Sequence, residues 1–242
     1  MSNILSLKSY YFVLIIICSF TSCKSDSVTT NEITPKNMKD TITYLALGDS
    51  YTKGESVATE ESYPYLLKDS LAKYKINIKQ KVIAQTGWTT DELDNAITAA
   101  KIDNQTYDIV SLLIGVNNQY RGRDLATYKK DFIALMQRAL KFANNRKDKV
   151  FIISIPDYAF TPFGQRTSNP NAISEGIDNF NEINKNVADS IGIQYFYITD
   201  ITRNGISDPD LVAGDGLHPS AKCYAAWVER IKLKVKEIIE KP

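Results

Sequence analysis

A single histidine, His218, occurs in the 242 residues of this chain, and an acid stands three residues before it in Asp215-Gly216-Leu217-His218-Pro219. An imidazole beside a carboxylate is the pairing that activates a serine, which is a poor nucleophile at neutral pH until a base takes its proton. Ser50 has the matching surroundings: in Leu45-Ala-Leu-Gly-Asp-Ser-Tyr-Thr-Lys-Gly54 an apolar run breaks off into Gly48-Asp49-Ser50. Taken alone, that segment could be a strand-to-loop turn in which Asp and Ser bond to nearby backbone. A lone histidine, likewise, is ordinarily a surface or satisfied core residue. Acyl transfer also needs donors for the oxyanion that develops on the attacked carbonyl. Three are on offer: the N–H of Ser50, the N–H of Gly87 in Gln85-Thr-Gly-Trp-Thr89, and the side-chain amide of Asn117 in Gly115-Val-Asn-Asn118. Glycine at 87 lets backbone approach a ligand closely.

These residues can work together only if the fold gathers them, and the hydropathy pattern says how. From Thr41 onward apolar runs alternate with helical stretches. Strands are expected over Ile42–Leu47, Ile76–Ala84, Asp108–Ile114, Val150–Ile155 and Ile193–Ile198. Two of them, Ile109 to Ile114 and Val150 to Ile155, are almost continuously apolar, as in strands covered on both faces. Helices are expected from Pro64 to about Tyr74, from the capping signal Thr89-Thr-Asp-Glu92 onward, over Leu125 to Ala139, over Asp178 to Ser190 and over Ala221 to Ile239. Strand–helix alternation of this kind predicts a parallel sheet between helical layers. Working groups then sit in loops beyond the carboxyl ends of the strands. Ser50, Gly87 and Asn117 each follow a predicted strand, and His218 precedes the last helix.

The four blocks, in this order, resemble the SGNH (GDSL) hydrolase family. Its name-giving residues match Ser50, Gly87, Asn117 and His218, and Asp215 completes an Asp-x-x-His element. The resemblance spans Tyr44 to Ile239. It implies an α/β fold of three layers, α/β/α, built on a flavodoxin-like parallel sheet. It also implies a serine esterase or acyl hydrolase that uses a Ser50–His218–Asp215 triad, an oxyanion hole of Ser50, Gly87 and Asn117, and no metal or organic cofactor. Gly48 is expected to permit the sharp exit from the strand and Asp49 to brace the turn. Two positions depart from the family's pattern: Tyr51 stands in place of Leu, and Asn118 in place of a frequent Asp.

Other chemistries lack their residues. The Gly-x-Ser-x-Gly elbow is absent. Gly214-Asp-Gly216 begins like a dinucleotide fingerprint, but Pro219 stands where the last glycine belongs. Zinc needs more His or Cys than one histidine and three cysteines provide. A net charge of +1, with no basic cluster interleaved with aromatics, argues against a nucleic-acid partner. Tyr51, Trp88, Tyr120, Tyr158 and Phe163 are expected in loops ringing the serine. The segment from Pro156 through Ser174 reads as a loop, either a packed surface or a substrate wall. Such rings suit an acyl chain or a sugar equally. Carboxylic esters of the lysophospholipid kind and O-acetyl groups of polysaccharide therefore both stand as substrates, beside a non-catalytic surface binding module.

The first residues are different in kind. Lys8, the apolar stretch Tyr10 to Phe20 and Thr21-Ser22-Cys23 have the layout of a secretory signal, and the apolar stretch is too short to span a bilayer. Small residues directly before Cys23 resemble the lipobox of bacterial lipoproteins, with Phe20 where leucine is usual. The expected organisation is a signal peptide over 1–22, a polar tether over 23–40 and a catalytic domain over 41–242. In this reading Cys23 carries lipid, and the exported protein is tethered to an envelope membrane. Cys223 is then the one cysteine left in the folded part, a packing residue of the last helix.

Overall fold

The computed structural model describes residues 40–241. The expected signal peptide, Cys23 and the expected tether up to residue 39 lie outside them. Within the described residues, β1 (Ile42–Gly48), β2 (Ile78–Ala84), β3 (Ile109–Leu113), β4 (Val150–Ile153) and β5 (Gln194–Phe196) form one sheet in the order β2-β1-β3-β4-β5, every pairing parallel. The helices are α1 (Ser50–Lys53), α2 (Tyr63–Ala72), α3 (Thr90–Ala99), α4 (Val116–Tyr120), α5 (Leu125–Phe142), α6 (Pro162–Gln165), α7 (Pro170–Ile191), α8 (Thr199–Thr202) and α9 (Ala221–Glu240). α2 packs on α9 against one face of the sheet, while α3, α5 and α7 pack side by side on the other. The result is the expected three-layer α/β/α fold.

The reason lies in the strands. β3 and β4 are buried at every position, so no face is left for water, and the two helical layers supply the cover. β1 joins β2 on one side and β3 on the other, so the chain reverses its direction of travel across the sheet between β1 and β3. In open parallel sheets ligands bind at such a switch point, beyond the carboxyl ends of the strands. Gly48 ends β1 there. Its role is space rather than a left-handed backbone: a Cβ would stand 2.4 Å from the Leu113 carbonyl oxygen and 2.1 Å from Thr52 Oγ1.

The expected long loop after β4 is mostly helical. A 3-10 turn (Tyr158–Phe160) and α6 fill its middle, and α7 begins at Pro170, eight residues ahead of the expected Asp178. Local capping explains the early start: Asn169 accepts a hydrogen bond from Ala172 N at 3.2 Å, and Pro170 occupies the first turn, where no N–H is needed. The apolar stripe of α7 begins with Ile173 and Ile177, a first turn hidden behind the polar residues around it.

Candidate active site

Ser50 is the first residue of α1, reached directly from β1. Asp49 caps that helix, its Oδ1 accepting from Tyr51 N at 3.0 Å. The N–H groups of a first helical turn have no helical carbonyl to bond, and that of Ser50 is among them. Asp49 is wholly buried. Loss of solvent pushes its carboxyl up to about 7, although backbone N–H groups of Tyr51, of Asp49 itself and of Gly115 favour the charge.

Gly87 follows β2 at φ +89°, a left-handed conformation that glycine adopts freely. Trp88 N bonds Gln85 O at 3.3 Å across this turn. Asn117 sits in the first turn of α4, at the end of β3, and its Nδ2 donates to Trp88 O at 3.0 Å. An amide nitrogen carries two hydrogens, so one stays available to a ligand. Asn118 accounts for its own departure from the family pattern. It is buried, accepts from Thr90 N at 3.1 Å and donates to Thr90 Oγ1 at 2.9 Å, a donor role an aspartate would lack.

His218 and Asp215 share the loop before α9. A Val212–Pro219 bridge and the Ala213 N to His218 O bond at 2.7 Å close that loop on itself. His218 Nδ1 lies 2.6 Å from Asp215 Oδ2. The same oxygen accepts from Ser56 Oγ at 2.6 Å, and Oδ1 accepts from the backbone of Leu217 at 2.9 Å and of His218 at 3.0 Å. Partial burial opposes the charge on Asp215. The bonds from Ser56, the imidazole and the two backbone N–H groups outweigh it and hold the carboxyl well below the usual carboxylate range. A carboxylate can only accept, so Nδ1 carries a proton, and in the neutral imidazole Nε2 keeps its lone pair. Tyr51 sets its ring edge-on to the imidazole, centroids 5.8 Å apart.

One cavity of about 280 Å³ gathers these groups: Ser50, Gly87, Asn117 and His218 all line it. Tyr51, Tyr120, Tyr158 and Phe163 line it too, as expected from the sequence, with Val116 and Leu217. Trp88 corrects that expectation. Its carbonyl is engaged by Asn117, and its ring packs against the hydrophobic core. Two participants carry no sequence signal. Ser56 reaches Asp215 from 159 residues away, and Arg121 donates to Gly87 O at 2.6 Å from the residue after α4. Among the described residues no cluster of His, Cys, Asp and Glu suits a metal ion.

The sequence profile of the GDSL-like Lipase/Acylhydrolase family matches residues 46–226. Solved structures share the fold. The crystal structure of TesA superposes with a TM-score of 0.64 at 19% identity, covering 81% of this chain and 99% of that one. The lipase/acylhydrolase from Enterococcus faecalis gives 0.63 at 19% identity, over 81% and 96%. The acetyl xylan esterase AlAXEase gives 0.61 at 16% identity, over 80% and 100%. No curated protein matches the chain by sequence.

Proposed function

Because this chain belongs to the GDSL-like lipase/acylhydrolase family and is a hydrolase of ester bonds, we propose that Ser50, His218 and Asp215 are its catalytic triad. Ser50 Oγ attacks the ester carbonyl while His218 Nε2 takes the hydroxyl proton. The tetrahedral oxyanion rests on the Ser50 and Gly87 N–H groups and on Asn117 Nδ2. Its collapse breaks the ester C–O bond, and the imidazolium returns its proton to the leaving alcohol. Water, deprotonated by the same imidazole, then attacks the acyl-enzyme; the C–Oγ bond breaks, the imidazolium returns its proton to Ser50 Oγ, and the acid is released. Asp215 stays ionised throughout and stabilises the imidazolium. The observation that carries this reading is the Asp215–His218 pair, 2.6 Å apart, whose imidazole lines the same cavity as the serine and the candidate oxyanion donors.

We infer the substrate class from the lining. Among the described residues no Asp, Glu, Lys or Arg lines the cavity, and Val116, Tyr120, Tyr158, Phe163 and Leu217 supply its walls. That supports an uncharged acyl group, in carboxylic esters of the lysophospholipid kind. A volume of about 280 Å³ lies near the lower end of ligand-sized clefts. With Tyr120, a residue 61% exposed, on its lining, it favours a second reading, a carbohydrate O-acetyl ester stacked on an aromatic face. Hydrolysis of p-nitrophenyl esters of rising chain length, set beside acetate release from acetylated glycans, separates the two. Ser50→Ala is expected to abolish both activities with Tm unchanged; turnover near wild type in that folded variant would overturn the triad.

A further inference from the structure

The turn that presents Gly87 is held by two side chains, one of which, Arg121, lies off the cavity lining. Its peptide carbonyls are engaged in succession: Gly87 O accepts from Arg121 Nη2 at 2.6 Å, and Trp88 O accepts from Asn117 Nδ2 at 3.0 Å. The guanidinium reaches further. Arg121 Nη1 pairs with Glu92 Oε1 at 3.2 Å, and Glu92 Oε2 accepts from Thr89 N at 2.8 Å, at the cap of α3. Arg121 thus joins the end of α4, the start of α3 and the glycine that precedes α3. It does not line the cavity.

Glycine is the residue with most backbone freedom, and Gly87 already sits at φ +89°. A carbonyl pinned by a charged donor removes the freedom about ψ, on the far side of the Cα from the N–H read above as an oxyanion donor. We propose that Arg121 is a positioning residue, a clamp on the Gly87 carbonyl that keeps the Gly87 N–H aimed at the developing oxyanion. This rests on the reading of Gly87 as an oxyanion donor. The alternative is an ordinary surface ion pair. The Arg121 and Glu92 side chains are 41% and 40% exposed, and a pair so placed adds little to stability. The clamp and the bland pair therefore agree on Tm and differ on rate. Removing an oxyanion donor outright costs about 10²–10³ in kcat; loosening one should cost about tenfold.

The test compares wild type with Arg121→Met, similar in reach but without a donor, and Arg121→Lys, which keeps a single-point donor. Four quantities are read: kcat and KM for p-nitrophenyl acetate, the rate at which an aryl phosphonate ester labels Ser50, Tm, and amide hydrogen exchange over residues 86–90. Arg121→Met should lower kcat and the phosphonylation rate together, by about tenfold, with KM and Tm little changed. It should also exchange the 86–90 amides faster, and Arg121→Lys should recover part of each loss. Wild-type kcat and exchange in the Met variant would overturn the clamp. So would a rise in KM with kcat kept, which would make Arg121 a substrate contact. If the wild type itself neither turns over nor labels at Ser50, the catalytic reading fails separately, and the exchange comparison still decides the clamp.

Discussion

His218 and Asp49 both bear on the pH behaviour of Ser50, and only one of them is visible as such in the sequence. As the proposed general base the imidazole must be neutral to accept the Ser50 proton, so kcat/KM is expected to rise with pH. With one histidine in the chain, the acidic limb would have one source. The structure adds a second, since Asp49 is buried beside Ser50 with its carboxyl pushed up to about 7. Asp215, held well below the carboxylate range, stays ionised and adds no limb. His218→Ala should lose turnover and the limb together. Asp215→Asn should fall less far, since its carboxylate orients the imidazole and never takes the proton. Asp49→Asn separates the two limbs through stability. The raised carboxyl of Asp49 binds a proton in the native state that the unfolded chain has already lost between pH 3.8 and about 7, so wild-type stability falls as pH rises through that window. The Asn variant escapes that loss. Its stability relative to wild type should therefore climb by about 2–3 kcal/mol between pH 5 and 8, read from denaturant midpoints. A difference that stays flat with pH would show that Asp49 does not titrate there.

The segment between β4 and α7 shows how secondary structure serves the cavity. Tyr158 and Phe163 are held there by a carboxylate with no exposure. Asp157 Oδ1 accepts from Ala159 N at 3.0 Å, and Oδ2 accepts from Ser174 Oγ at 2.7 Å and Arg203 Nε at 2.9 Å. Arg203 in turn pairs with Asp178 of α7 at 2.6 Å. The far end is tied to the histidine loop by Phe163 N to Gly216 O, 2.8 Å. Removing the guanidinium leaves a buried carboxylate without its ion pair, so Arg203→Met should destabilise the protein by about 2–4 kcal/mol. Its catalytic signature should be a raised KM for longer-chain esters at nearly constant kcat for acetate. A Tm equal to wild type would show that the two hydrogen bonds suffice without the arginine. Cys223 carries no such role: it is buried in α9, and burial pushes its thiol up to about 12, far from a reactive thiolate.

For the whole molecule, the strand order decides where the parts meet. Ser50 after β1 and Asn117 after β3 flank the switch point of the sheet, and the Gly87 turn after β2 and the loop before α9 complete the rim. No helix among the described residues is long and apolar enough to cross a membrane. Attachment, if the lipobox reading holds, falls to Cys23. Metabolic labelling with a fatty-acid analogue is expected to tag the protein there, and Cys23→Ser to move it into the soluble fraction. Unlabelled protein that stays with the membrane in both forms would point to a plain or uncleaved signal segment.

Much of this was legible without coordinates, because the signals are local. Continuous apolar runs announce strands covered on both faces, and Thr89-Thr-Asp-Glu92 announces a helix start, seen here as Thr89 capping α3 with Glu92. The ordered serine, glycine, asparagine and Asp-x-x-His blocks pointed to one site. Capping masked the first turns of α7, where polar residues fill the turn before the stripe becomes regular. What chain order could not supply are relations between distant segments. Ser56 on Asp215, Arg121 on Gly87 O and Arg203 on Asp157 join residues 159, 34 and 46 positions apart. Asp49 reads as an ordinary capping acid until packing takes away its water. The residue types determined which chemistry is available; only tertiary packing decided which carbonyl a guanidinium reaches and which carboxylate loses its solvent, because both depend on distances through space that sequence separation does not contain.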